Sequence, residues 1–152
     1  MAQTSYSYVT DSGIAGGLYD IAPYEANSRA LEGDDGAIGF GYGVVTGASA
    51  GVTVAVPSAT TDTFEGVVVN RAHELTTDGV VVLKAGEAHS ILSKGHIWAA
   101  VDPDIEITAG ESAYVSVTDG TAGLFTNDST GLETGGVFIT ANDNGLAAVA
   151  LH

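Results

Sequence analysis

The chain has 152 residues, 45% of them hydrophobic and 21 of them glycine, with 4 Lys+Arg against 19 Asp+Glu and a formal charge of −15. That length allows one domain, or one domain with an arm, and enough core to fold without staples. Cysteine is absent, which excludes a disulfide framework, and the scattered cations Arg29, Arg71, Lys84 and Lys94 exclude direct binding to a nucleic-acid backbone or an anionic membrane surface.

The N-terminal residues lack a cationic region followed by an apolar run, so no secretory signal is expected there. No apolar stretch is long enough to cross a bilayer as a helix, because Gly, Thr, Asp or Glu interrupts each one. Residues 1–38 differ from the rest. They hold Tyr6, Tyr8, Tyr19 and Tyr24, a glycine-rich run from Gly13 to Gly17, and the acidic turn Glu32-Gly33-Asp34-Asp35-Gly36, with little valine. This composition is too aromatic for a solvated tail and too irregular for part of a sheet. It suggests an arm that docks onto another surface, because tyrosine buries a large area at low entropic cost. Within it, Pro23 to Leu31 reads either as a short helix with Pro23 in its first turn or as extended chain.

From residue 39 to 152 the pattern is that of a β-domain. Runs at Val44–Thr46, Val52–Val56, Val67–Val69, Val80–Leu83, Ile97–Val101, Tyr114–Thr118, Val137–Thr140 and Leu146–Leu151 have strand length and β-branched character. Turn chemistry separates them, at Thr46–Gly51, Asp78-Gly79, Ala85-Gly86, Ala109-Gly110, Asp119-Gly120 and Asn144-Gly145. In Ser112–Thr118 the apolar Ala113, Val115 and Val117 alternate with polar neighbours, as in a half-buried antiparallel strand. The runs at Val67 and Val80 do not alternate. They predict strands covered on both faces, by a second sheet and by a neighbouring subunit. Asn70–Thr76 predicts one or two helical turns. The expected fold is all-β: a compact antiparallel β-sandwich or barrel, possibly jelly-roll-like, with an extended N-terminal arm.

Chemistry-bearing patterns are sparse. His89 and His96 flank a predicted hairpin at Ile91–Gly95 and would face each other across it, yet Glu87 is the one carboxylate nearby, short of a zinc ligand set. His73-Glu74 has no second histidine one turn on. Asp102, Asp104 and Glu106 alternate like a strand edge, and Asn142-Asp143-Asn144-Gly145 resembles half of a calcium loop without its downstream acid; both read as solvated turns. There is no nucleophile elbow. Gly39-Phe40-Gly41-Tyr42-Gly43 lacks a phosphate-binding ending and reads as a strand packed closely on another backbone. No catalytic residue, metal or cofactor is expected.

The order of motifs resembles a known family. Gly17-Leu18-Tyr19-Asp20-Ile21-Ala22-Pro23-Tyr24 is followed by Asn27-Ser28-Arg29-Ala30, the acidic turn and the strand Ile38–Val45. Phe64-Glu65-Gly66-Val67 and Ile107–Val115 come later. From about Ile14 to Leu151 this set is similar to the structural cement, or capsid decoration, proteins of tailed bacteriophages. The resemblance implies a non-enzymatic virion protein, made in the host bacterial cytoplasm. It would sit on the outer capsid surface as a homotrimer at three-fold or quasi-three-fold positions, binding the major capsid protein and gripping it with the arm. Tyr6, Tyr8, Tyr19, Pro23, Tyr24 and Arg29 are then the expected capsid or subunit contacts. Another β-rich virion part, such as a fibre or tail subunit, and a small carbohydrate-binding β-sandwich are the alternatives.

Overall fold

A computed structural model describes residues 13–70 and 82–152. Nine strands run through them: β1 (Glu25–Leu31), β2 (Gly43–Thr46), β3 (Thr53–Ala55), β4 (Phe64–Val68), β5 (Ala88–Ala100), β6 (Ser112–Val115), β7 (Phe125–Thr126), β8 (Leu132–Phe138) and β9 (Leu146–Leu151). No helix occurs among the described residues.

The first five strands close into a barrel in the order β1-β3-β2-β4-β5, with β5 returning to β1. All neighbours are antiparallel except β1 and β3, which run parallel with Leu31 opposite Val54. The register puts Leu31, Val44, Val54, Val68 and Ile91 on one face, and these side chains fill the barrel together with Ile38 and Leu83. Val45, Val67 and Leu92 point the other way, into a second core.

β5 is long because it serves both halves. Its 13 residues span about 40 Å at the usual rise. Ala88–Lys94 pair with β1, and Gly95–Ala100 pair with β9. Beyond β9 the sheet continues through β8 and β6 to β7, and a bridge from Phe125 to Val101 curls it back onto the end of β5. The second core fills this curl with Ile97, Val115, Phe125, Phe138 and Val149. The edge-to-face pair Phe64–Phe125, with centroids 6.3 Å apart, joins barrel to sheet.

The all-β expectation holds, as a closed barrel with a second sheet. Several details differ. Pro23–Leu31 is not helical: from Glu25 it is barrel strand β1, so this stretch is part of the sheet. The predicted hairpin at Ile91–Gly95 is instead the middle of β5. Gly95 is where the strand passes between sheets. Its φ is +125°, and a β-carbon there would sit 2.7 Å from the Tyr24 β-carbon. Val67 and Val68 are covered on both faces, but by the chain's own two cores and not by a neighbouring subunit. Val82-Leu83 is irregular, with Leu83 inserted as a plug in the barrel, while Val80 and Val81 lie outside the described residues, as do Arg71–Thr76 of the predicted helix.

One end of the barrel is polar. Arg29 Nε donates to Glu65 Oε1 at 3.0 Å, and Thr46 Oγ1 donates to Glu65 Oε2 at 2.8 Å. Arg29 precedes Leu31 by two positions, so its guanidinium enters the same interior. Both charged side chains are less than one-fifth exposed. Removing one partner of such a pair leaves the other poorly solvated. Glu65→Ala is expected to cost roughly 2 kcal/mol in urea unfolding. The double change Arg29→Met with Glu65→Leu should cost less than Glu65→Ala alone.

Candidate functional site

The segment from Gly13 to Tyr24 is a strap laid along β5. Gly17 N donates to Ile14 O, making a tight turn. The chain then pairs with β5: Gly16 N donates to Trp98 O, Trp98 N to Gly17 O and Tyr19 N to His96 O, at 2.8, 2.8 and 2.9 Å. Asn70 secures the turn, its amide donating to Gly16 O and its side chain to Ala15 O. These bonds occupy the edge of β5 opposite β9.

The aromatic-glycine run supports this crossing. Gly41 N donates to Val68 O, and Ala100 N donates to Gly41 O. With φ at +80°, Gly41 lies so close that a β-carbon would be 2.9 Å from Ala100 N and 3.0 Å from Gly16 N. The expected close backbone packing is therefore present, and it clamps β4, β5 and the strap together.

Two side-chain contacts hold the strap from outside. The Tyr19 ring meets Trp98 edge-on, with centroids 5.3 Å apart, and Trp98 is 7% exposed. Asp20 Oδ2 lies 2.7 Å from His96 Nδ1. His96 does not face His89: the latter is buried on the barrel half of β5, its Nε2 3.0 Å from Lys84 O. Among the described residues, no group of three or more His, Asp or Glu could hold a metal ion.

The hydrogen bond from His96, and then the amide of Ala22, hold the Asp20 carboxyl below its ordinary value of 3.8. A depressed folded-state value means the contact contributes fully above 3.8 and is lost as pH falls through the lower folded value. Trp98 is the sole tryptophan, so its emission reports the strap directly. The emission should stay constant from neutral pH down to the ordinary carboxylate value and then shift red. In Asp20→Ala the shift should already be present at pH 7. Equal emission of Asp20→Ala and the unaltered chain at pH 7 would show that this carboxylate does not hold the strap.

What the strap presents outward is apolar. Ile14 is 63% exposed, Leu18 41%, Ile21 102% and Tyr24 55%, and of the exposed large hydrophobics in the described residues only Val52 lies elsewhere. They form a ridge beside Gly95–Trp98 of β5. The one acid between Gly13 and Tyr24 is Asp20, already engaged by His96. Elsewhere acids do local work. Asp62 accepts the amides of Ser58 and Ala59, Glu111 that of Thr108, and Asp128 that of Thr130. Each of these carboxyls is held below its ordinary value by those bonds. The acidic surface is thus partly a set of turn clasps.

The structure therefore places Tyr19, Pro23 and Tyr24 on the strap, with Tyr19 turned onto Trp98 and Tyr24 outward. Arg29 lies apart from them, paired with Glu65 in the barrel. Tyr6 and Tyr8 lie outside the described residues. Ile14, Leu18 and Ile21 are exposed beside them although the sequence marks none of the three as a contact, and the Asp20–His96 contact has no local sequence signal.

A rigid β body carrying an exposed apolar ridge is the design of an assembly part. The family model for the structural cement protein (E217 gp24/Pam3 gp6) matches residues 2–152, and the chain belongs to that family. It is accordingly a non-enzymatic structural protein of the phage capsid. A solved chain from "The capsid of Myoviridae Phage XM1" is 14% identical, with a TM-score of 0.71 over 99% of this chain and 97% of that one, so the two share a fold. No curated protein matches the chain. No helix among the described residues is long and apolar enough to cross a membrane.

Proposed function

We propose that the protein decorates the outer face of the capsid shell as a homotrimer at three-fold or quasi-three-fold positions and ties neighbouring major capsid subunits together. The observation that carries this reading is the ridge of Ile14, Leu18, Ile21 and Tyr24, exposed on a chain of charge −15 and almost free of acids itself. An apolar patch of this kind marks a protein contact. Pro23 lies within the ridge, and the segment bearing Tyr6 and Tyr8 leads into it, so the arm and the strap dock together. Arg29 serves the barrel, and its contact to a partner is secondary. The protein is made in the host cytoplasm and meets neither nucleic acid nor membrane, since the cations are too few and too dispersed.

The trimer rests on the way the strand edges are used. Among the described residues the strand edges are taken up by the barrel closure, by the strap and by the return of β7 to the end of β5. Open-ended growth by strand pairing is therefore disfavoured, which leaves side-chain contacts around a closed ring. The test is a sedimentation mass at micromolar concentration together with micrographs of decorated particles. Three times the chain mass and three-fold density on the head are expected. A monomeric mass with isolated single copies on the shell overturns the trimer, and density on the tail overturns the capsid role.

A further inference from the structure

At the far end of the molecule, where β5 runs out, a half-open cavity of about 200 Å³ is lined by Asp102, Ile105, Thr118, Thr126 and Asp128, with the hydroxyls of Ser116 and Thr121 beside them. From this lining we infer a binding site for a single neutral sugar ring. The volume is below the roughly 300–1,000 Å³ of drug-sized sites, which limits the occupant to one small ring.

The chemistry of the lining selects the class. Asp102 Oδ1 accepts the amide of Asp104, and Asp128 Oδ1 accepts the amide and hydroxyl of Thr130. The second oxygen of each carboxylate takes no hydrogen bond from the described residues, so two strong acceptors remain for ligand hydroxyls. Thr126 is 8% exposed, and its Oγ1 accepts from Asp128 N while its own proton has no acceptor among the described residues. In a half-open cavity that proton meets water in the free chain and is available to a ligand acceptor. The Ser116–Thr121 hydroxyl pair, 2.8 Å apart, also holds the Thr118 backbone, with Ser116 Oγ accepting its amide and Thr121 Oγ1 donating to its carbonyl, and adds polar surface to the rim. Ile105 and Val117 supply an aliphatic surface for the C–H face of a pyranose.

The same lining rejects other ligands. It contains no Lys or Arg, and two carboxylates repel phosphate, sialate or a uronic acid. No third carboxylate or imidazole completes a metal site. An apolar ligand would strand the hydroxyls without partners. Asp102 lies four residues beyond Trp98, where the ridge ends on β5, roughly 13 Å at the rise of a strand. The cavity is therefore separate from the ridge and independent of how the ridge is used. One ring of this size binds with a Kd on the order of millimolar, and many copies on one particle would multiply that weak grip on a glycan-coated surface.

The test is saturation-transfer NMR on the full chain with methyl glucoside, methyl galactoside and methyl mannoside, with N-acetylneuraminate and glucosamine as comparisons. Transfer to at least one neutral glycoside and none to N-acetylneuraminate is expected. Asp102→Asn and Asp128→Asn keep the Oδ1 acceptor of their turns, so both should fold, and each should weaken binding at least fivefold. Thr126→Val should do the same, and Leu18→Ser on the ridge should change nothing. The inference is overturned by no transfer from any neutral glycoside, by transfer that survives Asp102→Asn and Asp128→Asn together, by binding of glucosamine alone, which would mark an ammonium site, or by loss of transfer in EDTA, which would mean that a cation holds the sugar.

Discussion

Replacing Ile14, Leu18, Ile21 and Tyr24 together by serine is expected to abolish binding to the capsid shell while leaving the body folded. Full burial of a large apolar side chain contributes about 1.5–3 kcal/mol. These four are partly exposed in the free chain, so docking does not recover the whole amount. Even about 1 kcal/mol each sums to about 4 kcal/mol, nearly a thousandfold in affinity. The folded chain loses little, because surface changes away from special contacts stay within about 0.5 kcal/mol. The matched control is Val52→Ser, which removes an equally exposed apolar side chain from the β2–β3 loop. Cosedimentation with undecorated capsids should fall for the ridge variant and not for Val52→Ser. A ridge variant that decorates capsids normally places the docking face elsewhere.

Deleting residues 1–24 is a less discriminating experiment. That cut also removes three backbone hydrogen bonds to β5 and the Tyr19 cover of Trp98. Loss of shell binding after it would combine a lost contact with an unprotected strand edge and an exposed indole. The serine variant keeps the strap's backbone in place and changes only what faces outward.

The half-buried strands were legible because burial leaves a mark on composition. β2, β3, β4, β6 and β9 all overlap runs rich in valine, alanine or leucine, whereas the run at Val137–Thr140 marks only the last two residues of β8, whose Glu133-Thr134-Gly135-Gly136 carries no strand signal. β1 left no such mark. Its sequence Glu25-Ala26-Asn27-Ser28-Arg29-Ala30-Leu31 has one fully buried side chain, and it is a strand because β3 and β5 offer backbone partners on either side. Strand propensity is weak where tertiary pairing decides. The sequence predicts a hairpin in the middle of β5 because Lys94-Gly95 has the chemistry of a turn. In the fold that glycine bends one continuous strand between two sheets. Arg29 stood out by rarity and suggested an interface. Its position at the polar end of the barrel follows from the antiparallel pairing of β1 with β5, which sets Arg29 opposite His89, a long-range relation that no local window contains. Asp20 and His96 meet across 76 positions for the same reason. The arm is legible as aromatic, but among its described residues three of the four exposed large apolar side chains, Ile14, Leu18 and Ile21, are aliphatic, with Tyr24 the fourth, because the strap turns Tyr19 inward onto Trp98.

Particles stripped of the protein are expected to rupture at lower temperature than decorated ones, and to leak DNA sooner when a chelator removes the cations that neutralise it. At −15 per chain, three copies carry roughly three times that charge, and like charges oppose assembly. At physiological salt, however, the Debye length is about 8 Å, so acids farther than this from the contact are screened. The ridge holds one acid, Asp20, and it is bound to His96. Docking through the ridge is therefore an apolar burial with little charge to overcome. Each docked copy adds contacts that must break before adjacent capsid subunits separate, and the copies act together across the shell. Burial of apolar area does not weaken as salt rises, so affinity should change little between moderate and high salt. Decorated and stripped heads with the same rupture temperature would remove the cementing role. Binding that collapses with rising salt would make the docking face ionic, and the contact would then have to be sought away from the ridge, among charged groups that the strap does not carry.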